Sequence, residues 1–317
     1  MPPPRLAVLA IGGNALIRDR EHESIPDQYE MVTRIVAHIA AMVEAGWQVV
    51  VTHGNGPQVG FILRRSELSI NEVPPVPMDY AGADIQGAVG WMFVRALRNE
   101  FRRRSMRQQA VAVVTQTVVD HRDPAFADPS KPIGSHMDEA KAKRLAKKYH
   151  WTVREDAGRG WRRVVPSPKP QAIIETEVIR HLAGAGYVVV ACGGGGIPVI
   201  EDAAGDLQGV EAVIDKDLAS SLLARSLGAQ ALVLPTGVEK VAIDFNKPSQ
   251  RWLDQMTLAE ARRHYAEDQF DKGSMGPKVA ALIDFIGGGG SLGLITSAPN
   301  LTRALQGETG TRVVADR

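Results

Sequence analysis

Apolar residues along the chain occur in short unbroken runs separated by stretches of helical spacing. Leu6 to Ile11 is one such run and stops at Gly12-Gly13, the pattern of a strand buried on both faces. Asp27-Gln-Tyr-Glu30 has the form of a capping box, after which Met31, Ile35, Ile39 and Met42 recur at helical spacing until Gly46 stops them. Val49 to Thr52 is the next run. Strand, helix and strand make a βαβ crossover, which requires parallel strands in a sheet covered by helices on both faces. Further strands are predicted at Ala110 to Val114, Tyr187 to Ala191, Ala229 to Leu234, Val241 to Asp244 and Leu292 to Thr296. The fold class is therefore α/β.

Residues 120–170 break this rhythm. They are rich in Pro, Lys, Arg, Asp and Trp, and no long apolar run occurs among them. A structureless loop of that length is uncommon inside a compact domain, so the stretch is predicted to be a small inserted lid subdomain. The parent is a single domain over residues 1–317, and Pro166 to Pro170 is the predicted hinge. Arg102-Arg103-Arg104 with Arg107 closes a helical pattern and reads as a solvated helix C-terminus.

The chain has 317 residues, enough for a large core. Its 37 Lys and Arg against 36 Asp and Glu leave a formal charge of +1, which offers no basic excess for nucleic acid. Cys192 is the only cysteine, so the chain has no internal disulfide framework and no cysteine-based zinc site, as suits a reducing compartment. Met1 to Arg5 lacks the features of a signal peptide, and no apolar run reaches the ~18 residues of a membrane span. A cytoplasmic protein without a membrane partner is expected.

Chemistry concentrates at glycine-rich junctions that follow predicted strands: Gly12-Gly13-Asn14, His53-Gly54-Asn55-Gly56, Gly193 to Gly196, and Thr236-Gly237. In an open α/β sheet, ligands lie beyond the carboxyl ends of the strands, where glycine lets backbone N–H groups approach an anion. Several such loops together suggest phosphate. There is no Gly-x-x-x-x-Gly-Lys-Ser/Thr, so a P-loop is excluded. Gly54 to Gly60 is one residue too long for a dinucleotide fingerprint, and Pro74-Pro-Val-Pro77 stands where its acidic ribose ligand belongs. Lys131 lies in the lid stretch, while Lys216 and Lys278 fall at predicted helix starts. A helix N-terminus disfavours a cation, and an anionic ligand would compensate.

Ala10-Ile-Gly-Gly-Asn-Ala15, Val51-Thr-His-Gly-Asn-Gly-Pro-Gln-Val-Gly60, Lys131-Pro-Ile-Gly134, Glu155 to Arg162, Val165-Pro-Ser-Pro-Lys-Pro170, Cys192 to Pro198, Gly209 to Asp217 and Gly273-Ser-Met-Gly-Pro-Lys278 occur in that order. The series resembles the carbamate kinases, a branch of the amino acid kinase family, and covers about Leu6 to Val314. The resemblance implies a three-layer αβα sandwich around a largely parallel sheet, with a small protruding lid subdomain. It implies reversible phosphoryl transfer between ATP and carbamate, giving ADP and carbamoyl phosphate, with Mg²⁺, in a homodimer. The direction it suggests is towards ATP, in arginine or other carbamoyl-phosphate catabolism.

By this resemblance Lys216 and Lys278 hold the phosphates and the transferring group, Lys131 reaches in from the lid to the carbamate side, and Asp217 orients the lysines. Gly12, Gly13, Asn14, Gly54, Asn55 and Gly56 supply donors to the acceptor. Gly194, Gly195, Asp215, Thr236, Gly237, Asp244, Phe245, Ser274, Met275 and Lys278 fall on the nucleotide side. No residue is expected to be a metal ligand, the phosphates and water holding the Mg²⁺. Phe245 replaces a familiar tyrosine, and Ile133-Gly-Ser-His136 a familiar Pro-Phe pair. Carbamate is already a nucleophilic anion and needs no general base, so His53 is given no chemical role. Two alternatives stay open: a sister kinase for a larger carboxylate or a nucleoside monophosphate, and a non-catalytic nucleotide sensor.

Overall fold

Strands and helices alternate through most of the chain in the computed structural model, which describes residues 5–19, 21–156, 158–271 and 273–316. The first half runs β1 (Arg5–Ile11), α1 (Ile25–Glu44), β2 (Trp47–His53), α2 (Gly56–Leu68), α3 (Met78–Arg103), β3 (Ala110–Ala112), β4 (Gln116–Val119) and α4 (Pro124–Ala127). Next come β5 (Lys131–Met137), α5 (Glu139–Tyr149), β6 (Thr152–Glu155), β7 (Trp161–Val165), β8 (Pro170–Ile173), α6 (Thr176–Gly184), β9 (Val188–Val190), β10 (Ile197–Glu201) and β11 (Leu207–Gly209). The remainder is α7 (Lys216–Leu227), β12 (Ala231–Thr236), β13 (Val241–Ile243), β14 (Arg251–Leu253), β15 (Gln255–Thr257), α8 (Leu258–Ala266), α9 (Met275–Gly287), β16 (Leu292–Ser297), α10 (Leu301–Leu305) and β17 (Thr311–Val314).

An 8-stranded sheet in the order β15-β17-β16-β12-β1-β2-β9-β3 forms the middle layer. Its strands from β16 to β3 are parallel, and β17 with β15 runs the other way at one edge. The unbroken apolar run of β1 is explained by its two faces. Ala7, Leu9 and Ile11 join α1 and α3 in one core, while Leu6, Val8 and Ala10 join α7 and α9 in another. Helices thus cover both faces, as the sequence predicted.

Helix α1 starts earlier than its apparent capping box. Ser24 is the N-cap: its hydroxyl accepts from the Asp27 N–H, and the Asp27 carboxylate accepts from the Ser24 N–H. Asp27 is therefore the closing member of the box and not its opener. Gly46, with φ of +84°, turns the chain out as expected. The arginines that close α3 are ion-paired: Arg103 and Arg104 both bond Glu100, and Arg104 reaches Glu44. No helix among the described residues is long and apolar enough to cross a membrane.

Strands β4 and β8 belong to a second sheet, β11-β10-β4-β8. Between them the chain builds a separate antiparallel sheet, β5-β7-β6, with α5 beside it. Met137, Ala142 and Leu145 form a small apolar cluster there with Trp151 and Trp161. Ile133 and Val165 instead enter the main core, so the root of this sheet is plugged into the body. Pro166, the predicted hinge, accepts a hydrogen bond from the Val213 N–H at 2.9 Å.

Candidate active site

The loops after β1 and β2 meet back to back at the carboxyl edge of the sheet. A Cβ on Gly13 would lie 2.7 Å from the Gly56 nitrogen, and one on Gly54 would lie 2.6 Å from the Gly13 nitrogen. Only glycine permits that approach. Gln58 Nε2 donates to the Gly13 carbonyl at 3.2 Å, and the Gly54 N–H donates to the Ile11 carbonyl at 2.8 Å. The turn after β9 completes the group: a Cβ on Gly194 would fall 2.7 Å from Asn55 Nδ2, and one on Gly195 would fall 2.6 Å from the Ile214 carbonyl oxygen. Gly194 and Gly195 therefore lie against the loop bearing Asn55 and against the segment that leads to Asp215.

That segment opens α7. Asp215 caps the helix, with its Oδ1 accepting from the N–H groups of Asp217 at 2.9 Å and Leu218 at 3.2 Å. Asp217, only 5% exposed, accepts from two ammonium groups. Lys216 bonds its Oδ1, and Lys278, from the first turns of α9, bonds its Oδ2 at 2.9 Å. Lys216 Nζ also donates to the Ala10 carbonyl at 3.3 Å, tying α7 to the end of β1. Burial pulls the Lys216 ammonium below the ordinary lysine range, opposed by the Asp217 charge. Burial alone would raise the Asp217 carboxyl, but the two lysines outweigh it and hold the group below the usual carboxylate range.

Lys131 begins β5 and brings its Nζ to 4.0 Å from Asp215 Oδ2. Three lysines thus gather around two aspartates, one aspartate capping a helix and the other bonded to two ammoniums. The result is a cluster of three cations and two carboxylates next to the glycine loops. Among the described residues, no group of three or more His, Cys, Asp or Glu side chains is set to hold a metal ion.

His53 closes β2 and is buried. Its Nδ1 donates to the Gly54 carbonyl at 3.0 Å, its ring stacks on Phe93 at 6.2 Å, and Gly193 packs against Nε2. Burial holds its pKa down to about 4, so the ring is neutral at physiological pH and serves as a post for the turn.

On the other side, Thr236 ends β12 and leads into Gly237. Asp244, after β13, has φ of +51°, and its N–H donates to Gln269 Oε1 at 2.8 Å, which ties this turn to the loop before α9. The Asp244 carboxylate bonds Lys247 at 3.2 Å and Ser249 at 3.1 Å, and the Lys247 bond leads in holding it below the usual range. Phe245 is 55% exposed and meets the edge of Trp252 at 6.5 Å. Ser274 is the N-cap of α9, its side chain caps nothing, and Met275 is the first helical residue.

Sequence reasoning missed two contributors. Gln86 is buried on α3, donating to the carbonyls of Thr115 at 2.9 Å and Gly193 at 3.1 Å and accepting from the Thr115 N–H at 2.7 Å. It holds the 193–196 turn, and a lone Gln on an apolar helix face carries no signal of that. Trp252 stands in a stretch with no recognisable pattern, and only the β13–β14 pairing brings it to Phe245.

Comparison with known proteins identifies the family. Residues 5–297 match the amino acid kinase family. The carbamate kinase of Thermococcus kodakarensis is 48% identical over 312 residues, covering 98% of this chain and 99% of the relative. A carbamate kinase-like protein of Escherichia coli, YahI, is 46% identical over 312 residues, with 98% of each chain covered. The structure of carbamate kinase from Giardia lamblia bound to AMP-PNP superposes with a TM-score of 0.95 at 40% identity, covering 100% of both chains. The chain belongs to the amino acid kinase family and, within it, to the carbamate kinases.

Proposed function

We propose that this protein transfers a phosphoryl group reversibly between ATP and carbamate, giving ADP and carbamoyl phosphate. The observation that carries the reading is the pair of ammoniums, Lys216 and Lys278, held on one buried carboxylate beside the paired glycine loops. Carbamate is already a nucleophile, so the obstacle is repulsion between two anions. Positioning and fixed positive charge answer that obstacle, and phosphoryl transfer draws its catalysis mainly from them.

In this reading Lys216 and Lys278 neutralise the transferring group, and Asp217 fixes where they point. Gly12, Gly13, Asn14, Asn55 and Gly56 offer N–H and amide donors to the acceptor; Gly54, whose own N–H is held by the Ile11 carbonyl, keeps the two acceptor loops close; and Gly194 and Gly195 lie on the nucleotide side. Asp215 holds the start of α7 and faces Lys131. Thr236, Gly237, Asp244, Phe245, Ser274 and Met275 form the wall that receives the nucleotide. Residues 120–170 act as a lid within the single domain, bringing Lys131 to the carbamate side and excluding water from an acceptor that water destroys. The nucleotide phosphates and water would hold Mg²⁺, which would add charge neutralisation there.

A homodimer is proposed as well. Ile25, Tyr80 and Trp91 are large apolar side chains left exposed on α1 and α3, and Arg95 lies over the rings of Tyr29 at 3.6 Å and Trp91 at 4.3 Å; these exposed groups support that reading. We place the enzyme in the cytoplasm, running towards ATP in arginine or other carbamoyl-phosphate catabolism. Acceptor preference is the test: phosphorylation of carbamate should exceed that of N-acetylglutamate and UMP by orders of magnitude. Faster turnover of either rival would move the protein to a sister activity.

A further inference from the structure

We infer that Arg163 and Glu211 form a latch that positions Lys131 by tying the three-stranded sheet to the segment carrying Lys216 and Asp217. The inference rests on the phosphoryl-transfer reading for its kinetic consequence and on geometry alone for the latch itself.

Arg163 lies on β7, the central strand of that sheet, yet it is only 8% exposed. Its guanidinium bonds Glu211 Oε2 and lies over the Trp151 ring at 4.5 Å. Glu211 belongs to the loop between β11 and α7, and its Oε1 accepts from the Met78 N–H at 3.1 Å, at the start of α3. One carboxylate therefore joins three parts: the inserted sheet, the main α3 helix and the approach to Asp215. A second bond runs alongside, from the Val213 N–H to the Pro166 carbonyl at 2.9 Å. Glu67 on α2, with its side chain 7% exposed, adds a second negative charge on the body side, beside the small cavity it shares with Gly134, Trp151 and Arg163.

Register carries the latch to the site. Across the β5–β7 ladder, Arg163 is opposite Ile133 and Val165 is opposite Lys131, so latch and lysine are two residues apart on one rigid ladder. A buried guanidinium left without its carboxylate is costly, so loss of the half-exposed Glu211 weakens the seating of the sheet in this position. In that position Lys131 faces Asp215. Neither Arg163 nor Glu211 touches the glycine loops or the lysine pair in any hydrogen bond or ion pair described above. They are positioning residues.

The test is a double-mutant cycle on kcat/KM for ATP formation from ADP and carbamoyl phosphate. Lys131→Ala alone should cost about a hundredfold. Glu211→Gln alone should cost about tenfold or more, and in the Lys131→Ala background less than about twofold, because the latch acts through Lys131. Equal losses in both backgrounds, or no loss in either, overturn the inference. Arg163→Lys, which keeps the charge but loses the fork and the ring contact, repeats the cycle from the other partner. Amide exchange across residues 131–165 gives a readout independent of turnover, and Glu211→Gln should raise it at least tenfold. A wild-type protein inactive with carbamoyl phosphate would defeat the proposed activity and leave the latch to stand or fall on exchange.

Discussion

Asp217 Oδ2 accepts a hydrogen bond from Lys278 Nζ at 2.9 Å, across the gap between two helices that start at the same end of the sheet. Its other oxygen accepts from Lys216, so a single carboxylate keeps two ammoniums near each other and near the phosphate space. Asp217→Asn keeps the shape and removes the charge. It should lower kcat/KM by more than about a hundredfold and cost about 3–5 kcal/mol of stability, since two buried ammoniums lose their counterion. Activity assay and urea unfolding read the two losses separately. Because the folded carboxyl lies below the ordinary aspartate value of 3.8, this stability is present above that pH and lost as pH falls through the lower folded value.

Lys216 must stay charged to neutralise phosphate, yet burial pulls its pKa below the ordinary lysine value of 10.5. The alkaline limb of kcat/KM for ADP with carbamoyl phosphate should therefore fall below 10.5. Lys216→Arg, whose guanidinium does not titrate in that range, should move the limb upward even though its rate is low. A limb unmoved by that substitution would belong to another group.

His53 gives a stability prediction with no kinetic counterpart. Its folded pKa of about 4 lies below the ordinary histidine value of 6.5, so the unfolded chain binds the extra proton between those values. Stability is full above 6.5 and is lost as pH falls towards 4, by about 3 kcal/mol at 1.36 kcal/mol per unit. His53→Gln should flatten that slope in urea melts. The wild-type rate profile should show no limb from this neutral ring between about pH 5 and 8.

Two neighbouring glycines separate packing from tolerance. Gly54→Ala places a methyl 2.6 Å from the Gly13 backbone nitrogen and should both lower Tm and abolish turnover. A Cβ on Gly56 first meets Asn14 Oδ1 at 3.5 Å, an ordinary contact, so Gly56→Ala should fold with a Tm close to wild type. Equal melting of the two variants would contradict the back-to-back packing of the loops.

Much of the fold was legible because β1 and β2 are buried on both faces and write themselves as unbroken apolar runs. Lys216 and Lys278 were legible through their flanking motifs and their place at helix starts. The start of α1 was misread because Asp27 and Glu30 imitate a capping box one turn downstream of the true cap, Ser24. The partners of Gly13 and Gly54 were hidden, since the close approach joins loops about forty residues apart and no local pattern encodes it. Arg163 was hidden for the opposite reason: a cation in a charged, proline-rich stretch reads as solvated until the sheet puts it against Glu211.

The most direct test of the central claim is ATP formation from ADP and carbamoyl phosphate with Mg²⁺, measured for the wild-type protein and for Lys278→Ala. Wild-type turnover should be robust, and the variant, which lacks one of the two ammoniums held by Asp217, should lose about a hundredfold or more. Folded wild-type protein that binds ADP yet forms no ATP, or a Lys278→Ala variant that turns over normally, would contradict it.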